Sequence, residues 1–362
     1  MKTKISKITA YLSMIGIGLM ISQAVWSQEE FKKEFDKNYS CSKQTNFSIS
    51  NKYGDIEIRD WEKNEIDIQA EIILRNVSKQ KADQIFELVD INFSQSGNDI
   101  LVETDYDEGF FKLVNQNMGK DKRFEVNYIV NMPSYIKSEI DNKYGSVFIS
   151  KLTSASAVRV KYGNLKINRF EGQDKDQMAD VELGYSTGTI ETCQWLRISI
   201  KYSKINIINS KALILLSKYS KLNIEKGTSI VSESKYDSYE IGSLANMVTE
   251  AQYSNFKCDE ISNKLKLNTK YTDVKVNYIP AGFESIEIDN SYGSINLRID
   301  NGASYKLDGY AKYAKINYPS EGRVNRFQES SELRVEGIVG TESNNLPDVK
   351  INTNYGGINL VQ

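Results

Sequence analysis

Along most of the chain, apolar and polar positions alternate with a period of two. The alternation restarts at every copy of one short phrase, Lys-Tyr-Gly/Ser-x-Ile-x-Ile. Tyr53, Tyr144, Tyr162, Tyr185, Tyr202, Tyr219, Tyr236, Tyr253, Tyr271, Tyr292, Tyr313 and Tyr355 each open a copy. Aligned on these tyrosines, the positions four and two before are apolar or small, as at Val158 and Val160 or Ile198 and Ile200. The positions three and five after are mostly apolar, as at Ile205 and Ile207 or Leu222 and Ile224. Period two is strand periodicity. The offset between the two sets is odd, so the chain must turn a corner between them. Gly54, Gly145, Gly163, Gly293 and Gly356, or Ser203, Ser220 and Ser254, come directly after the tyrosine and suit the bent or left-handed backbone of a corner.

From Tyr185 to Tyr253 the spacing is 17 residues four times running, then 18, 21 and 21. The last gap, 42 residues, fits two steps of 21 with a Tyr-less copy around Leu333 and Val335. A fixed period of this kind marks a repeat architecture. One coil of 17–21 residues cannot bury its own apolar face, whereas coil stacked on coil does, and pairs the backbone as well. The fold predicted for residues 136–362 is therefore all-β, a single parallel β-solenoid, or β-helix. With about a dozen coils at about 4.8 Å each, it would be on the order of 55 Å long. A sandwich or propeller would need hairpin turns every 8–12 residues or so and blade periods near about 40. Neither matches the spacing.

Within residues 28–135, the stretch 38–75 begins like a solenoid copy (Ile49, Tyr53, Gly54, Ile56, Ile58), with an alternating strand from Ile66 to Leu74. The pattern then changes. Ser78 is a suitable N-cap, and Ala82, Ile85, Phe86 and Val89 share one face of a helix predicted over about 78–90. Strands are expected at Ile91–Phe93, Ile100–Glu103 and Phe124–Val130, with a loop at Asp105–Lys122. Solenoid ends expose strand edges, so this region is predicted to be a β-rich cap. At the other end, the chain's last copy carries no such addition, which leaves that coil bare or covered by a partner.

Residues 1–27 have the form of a signal peptide: Lys2, Lys4 and Lys7, then an apolar run from Ile8 to Ile21, then Val25-Trp26-Ser27 before Gln28. The expected location is exported, in the periplasm or at the cell surface or beyond. No later stretch is apolar for long enough to span a membrane. The formal charge is −2, and −5 without the three lysines of residues 1–27, so nucleic acid is a poor partner. Cys193 and Cys258 fall four coils apart, beyond disulfide reach, and are expected as buried free thiols in core positions. Cys41 lies outside the regular stack.

Histidine is absent, which removes Ser-His-Asp and Cys-His machinery and imidazole metal sites. No nucleophile elbow, P-loop or dinucleotide fingerprint occurs. Asp105, Asp107 and Glu108 could offer oxygen ligands to a calcium ion, but their spacing is not that of an EF-hand, and a solvated acidic loop is the plainer reading. The expectation is a non-enzyme with no cofactor, no metal and no catalytic residue. A polysaccharide-cleaving β-helix enzyme is the first alternative, and an envelope scaffold for a protein partner the second.

Two ladders remain. Lys precedes Tyr in eight of the twelve copies, and Lys201, Lys218, Lys235 and Lys270 are the candidate ligand-binding residues. Like charges about 4.8 Å apart repel, so the row either borrows counter-charges from Glu182, Glu233, Glu250 and Asp289 or awaits an anionic ligand. An acidic envelope polysaccharide would fit such a track, through weak contacts that add along its length. Tyr162, Tyr185, Tyr202, Tyr219, Tyr236, Tyr253, Tyr271 and Tyr292 are expected to stack as an aromatic ladder. An exposed strip that stacks on sugar rings is the alternative. Asn206 with Asn223, and Asn296 with Asn317, are expected as amide pairs on adjacent coils.

The leading Asn51-Lys52-Tyr53-Gly54-Asp55-Ile56, the closing Tyr355-Gly356-Gly357-Ile358-Asn359-Leu360 and the stretch Gly302–Gly309 resemble a family of exported bacterial adhesins related to auto-transporter adhesin head GIN domains. The resemblance covers most of the chain and implies a β-solenoid in the cell envelope. It carries no catalytic residues, and several middle copies depart from it by using Ser after Tyr.

Overall fold

In the computed structural model, residues 30–117, 123–172 and 174–361 are described. The predicted signal segment 1–27 lies outside them. Each tyrosine marks a corner between two strands, as Tyr144 does between Lys137–Lys143 and Val147–Leu152. Both strands pair in parallel with those of neighbouring coils, so two sheet walls run the length of the stack. The architecture is the parallel β-solenoid that the period predicts. In the middle, the second strand of one coil continues unbroken into the first of the next: Thr187–Lys201, Lys204–Lys218, Lys221–Lys235, Ser238–Gln252 and Asn255–Lys270. Their register keeps equivalent positions of the repeat in line, so that Lys201, Lys218 and Lys235 are direct neighbours. Inward positions such as Ile198, Ile205, Ile207, Leu215, Leu222 and Ile224 are buried in one continuous core. Cys193 pairs with Phe170 and Cys258 with Ile241, and both are buried free thiols.

The N-terminal end closes the stack with antiparallel strands. Helix α1 spans Lys79–Phe86, shorter than predicted, because Val89 and Ile91 alternate into a strand, Val89–Ser96, antiparallel to Asp99–Tyr106. Ser78 precedes α1 without a side-chain cap bond. The stretch expected as a loop contains a second helix, α2, Glu108–Asn117. Its signal was available in Glu108 at the first turn and in Phe110 and Leu113 three apart. Asp99–Tyr106 and Arg123–Met132 run parallel to the two strands of the Tyr53 coil, so α2 stands where a tyrosine corner would otherwise be. Glu65–Arg75 and then Glu30–Ser40 continue antiparallel beyond.

The C-terminal end corrects the linear reading of the last gap. Leu333 and Val335 do not build a Tyr-less copy. They lie in an antiparallel hairpin, Gly322–Glu329 with Glu332–Val339, that covers the strand Tyr305–Lys312. The Tyr355 coil folds back between the Tyr292 and Tyr313 coils, so it is interior and not bare. Asn359 accordingly sits between Asn296 and Asn317, bonding to both, and those two are not adjacent.

Candidate functional site

The corner residues obey a rule different from the one expected. The left-handed residue is the tyrosine itself, with φ between 50° and 62° at all twelve positions. A bulky side chain there is unusual, because Cβ crowds the adjoining carbonyl. The residue after the tyrosine must be small for another reason. A Cβ on Gly145 would lie 1.9 Å from the Gly54 carbonyl oxygen of the neighbouring coil. Where serine occupies the position, its hydroxyl turns inward and is used. Ser186 N donates to Ser203 Oγ at 3.1 Å, and Ser203 N to Ser220 Oγ at 3.2 Å. Ser203 Oγ and Ser220 Oγ donate in turn to the Lys201 and Lys218 carbonyls at 2.9 Å.

Left-handed corners throw the tyrosine rings outward on one edge of the solenoid. Successive rings lie 4.8–5.2 Å apart with planes within 16° of parallel, in the order Tyr53, 144, 162, 185, 202, 219, 236, 253, 271, 292, 355, 313. The predicted ladder is present, and it is exposed as well: Tyr144 onward retain 40–56% of their surface. Tyr53 is more sheltered, since Tyr106, at the end of the strand Asp99–Tyr106, and Phe111 of α2 meet it edge-on. Stacking consumes the ring faces, so the surface offered is a row of ring edges and hydroxyls. Face-on packing of sugars against the middle tyrosines is blocked by the neighbouring rings.

The four predicted lysines flank this row. Lys201, Lys218 and Lys235 occupy consecutive coils, Gln252 the next, and Lys270 the one after. All are exposed, with Nζ 5.4–5.7 Å from the centroid of the adjacent tyrosine ring. The expected neutralisers do not reach them. Glu182 pairs with Lys161 at 3.7 Å, and among the described residues these four ammonium groups have no carboxylate within salt-bridge distance. On the other flank Lys204 and Lys221 stand beside Tyr202 and Tyr219, and Lys221 pairs with Glu240 at 3.1 Å. Pattern reading missed these two, although their place two residues after Tyr was there to be read. A shallow groove of 1360 Å³ runs along this edge from Tyr162 to Tyr271, lined also by Lys204, Lys221, Ser238 and Asn255.

Burial pushes the Cys193 and Cys258 thiols up to about 12, which suits filler and not nucleophiles. Asp105 lies in the strand before α2 and Asp107 directly precedes the helix, and the described residues hold no cluster of three or more carboxylate or thiol groups fit for a metal ion. No described helix is long and apolar enough to cross a membrane.

The family model described as Toastrack DUF4097 matches residues 40–361. No curated protein matches the chain. Among solved structures, a candidate cell adhesion protein from Clostridium sporogenes is 13% identical with a TM-score of 0.22, covering 92% of this chain and 100% of its own. A candidate adhesin from Parabacteroides distasonis is 9% identical with a TM-score of 0.36, covering 91% and 97%. A candidate lipid-binding protein from the same organism is 11% identical with a TM-score of 0.31, also covering 91% and 97%. At these scores the likenesses carry no functional argument.

Proposed function

The chain belongs to the Toastrack DUF4097 family, and we propose that it is a non-catalytic exported protein of the bacterial envelope or cell surface. Its ligand on this reading is an acidic polysaccharide lying along the tyrosine–lysine edge. The observation that carries it is the ammonium row of Lys201, Lys218, Lys235 and Lys270, without a carboxylate partner among the described residues, beside a file of outward hydroxyls. Exposed like charges at strand spacing repel one another, and an anionic chain relieves that repulsion. Stacked rings present hydroxyl edges, which suit the carboxylate, sulfate or phosphate groups of a polymer better than the apolar faces of neutral sugars. Contacts repeated coil after coil add through multivalency although each is weak.

The test is binding of the purified protein to acidic and neutral polysaccharides at low and high salt. A variant with Lys201, Lys218, Lys235 and Lys270 all changed to Gln runs beside it. The acidic polymer should bind the native protein, release in high salt, and bind the variant about tenfold more weakly or worse. Four exposed contacts at a fraction of a kcal/mol each reach the roughly 1.4 kcal/mol that tenfold requires. Equal binding by native protein and variant, or binding indifferent to salt, would remove the lysine edge as the site.

A further inference from the structure

The Tyr355 coil comes after the Tyr313 coil in sequence but precedes it in space. Asp348–Asn354 pairs over seven residues with Ser285–Ser291 on one side and over seven with Lys306–Lys312 on the other. Ile358–Val361 lies between Ile295–Ile299 and Ile316–Asn317. Val349, Ile351, Ile358 and Leu360 are buried, and Tyr355 stacks at 5.0 Å on Tyr292 and 4.9 Å on Tyr313. Both walls of this slot come from chain that precedes the coil. They are joined to each other by Asp300–Ser304, a turn closed by Ala303 N donating to the Asp300 carbonyl at 2.9 Å. That turn steps over one whole coil, so the slot between the two walls is one coil high, and residues 348–361 fill it.

We propose that residues 348–361 form an exchangeable coil, and that the slot between the Tyr292 and Tyr313 coils takes this coil from a second copy of the chain. The partner is fixed by chemistry, because only a segment with the same inward pattern and a tyrosine at the corner fills both sheet walls and the gap in the ladder. Every contact of the coil is preserved in the exchange, so its cost is confined to the hinge and to association. The hinge is suited to this. Thr341 to Asn345 are exposed, and residues 340–347 are tied back mainly by Thr341 N to Ser304 Oγ, Gly340 N to the Glu321 carbonyl and Lys306 N to the Pro347 carbonyl. Extended, eight residues reach roughly 27 Å. A parallel coil with distant partners closes slowly, which gives a second chain time to compete. A reciprocal dimer would carry two tyrosine–lysine edges and so raise avidity, although the exchange stands whether or not those edges bind polysaccharide.

The experiment uses the full chain with Cys41→Ser, Asp289→Cys and Asn352→Cys. Asp289 and Asn352 are exposed register partners, with Asn352 Nδ2 donating to Asp289 Oδ1 at 2.9 Å. Neighbouring strands lie about 4.8 Å apart, within the roughly 4.4–6.8 Å a disulfide spans. The protein is unfolded, refolded at rising concentration, oxidised, sized by light scattering and run on a non-reducing gel. The expected result is a dimer whose share rises with concentration during refolding, persists on dilution, and is covalent through the new disulfide. Absence of dimer at every concentration overturns the proposal. So does a dimer whose chains separate on the gel with each disulfide internal. If the double cysteine variant fails to fold or oxidise, the unmodified chain is refolded with a labelled peptide of residues 346–362. Retention of peptide, lost to excess unlabelled peptide, supports the slot, and no retention overturns it.

Discussion

The middle coils and the end coils turn the same corner with different side chains. Between Tyr185 and Tyr271 the corner is built from inward hydroxyls, with a carboxylate, Asp237, after Tyr236; the coils between Tyr185 and Tyr253 are 17 residues long, and single strands run from one tyrosine to the next. Toward both ends the position after Tyr is mostly glycine. At three of these corners the polar group comes from two residues before the tyrosine: Asn142 Nδ2 donates to the Gly54 carbonyl at 2.9 Å, Asn290 Nδ2 to the Gly293 carbonyl at 2.7 Å, and Thr353 Oγ1 to the Gly356 carbonyl at 2.8 Å. The space vacated by the missing side chain is where the neighbouring backbone and the amide come in. In the middle the serine fills that space, and the residue two before Tyr can be Ile200, Ser217 or Ala251. The hydroxyl solution needs no loop and gives the shortest, most regular coils, and these carry the lysine row. The glycine solution occurs where loops, helices and hairpins close the ends.

The sharpest way to break this comparison is to put the same methyl group into both corners. In Gly145→Ala the new Cβ meets backbone, which cannot move aside without shifting a whole coil. A loss of about 3 kcal/mol or more is expected in urea denaturation. Ser203→Ala in the middle adds nothing and orphans the Ser186 N–H, for a loss of about 1–2 kcal/mol. Equal losses would mean that the two corners are not distinct solutions.

A smaller effect is expected where the hydroxyl ladder holds a carboxylate. Asp237 takes the place of serine and is buried. It accepts from Ser217 Oγ and Ser234 Oγ at 2.8 Å, Ser220 N at 2.7 Å and Lys235 N at 2.9 Å. Burial pushes its carboxyl above the ordinary aspartate range despite those four donors. A raised value means that the fold favours the protonated form. Its contribution is therefore whole below the ordinary aspartate value and is lost as pH rises through the raised one. Asp237→Asn should abolish that loss. Between about pH 4 and neutrality the native protein should weaken relative to the variant, by about 1.4 kcal/mol per unit of upward shift. A native protein that gains on the variant over the same range would show that the donors outweigh burial.

The amino-acid pattern disclosed the coil, the inward positions, the tyrosine file and the fate of Cys193 and Cys258, because each depends only on which residues share an environment. It could not disclose order along the stack. The copies around Tyr292, Tyr313 and Tyr355 present interchangeable inward patterns, and periodicity is blind to a coil inserted out of turn. Leu333 and Val335 alternate as a solenoid strand does, and only their antiparallel pairing with Tyr305–Lys312 sets them apart. For the candidate site, the lysine row was legible, but not its lack of carboxylate partners among the described residues, which depends on side-chain reach. The left-handed tyrosine was hidden for a different reason. Glycine next to a corner is ordinarily read as the strained residue, whereas here it yields to a neighbouring backbone.

That strain gives the finest discrimination. A left-handed non-glycine residue costs about 1–2 kcal/mol, and a stacked aromatic pair returns about 0.5–1.5 kcal/mol. An interior rung such as Tyr219 has two such pairs, so stacking offsets the strain with little to spare, and the ring keeps 41% of its surface in solvent. A corner selected for stability alone would use glycine there, and the proposed surface role would account for the strain. Tyr219→Ala keeps the strain and loses the stacking, while Tyr219→Gly loses both, so the glycine variant should be the more stable by about 1 kcal/mol. Both should weaken binding of an acidic polysaccharide alike. If alanine proves as stable as glycine, the corner is not strained. If glycine costs more than the roughly 3 kcal/mol that two stacked pairs can supply, the tyrosines are staples first, and the surface reading loses its physical ground.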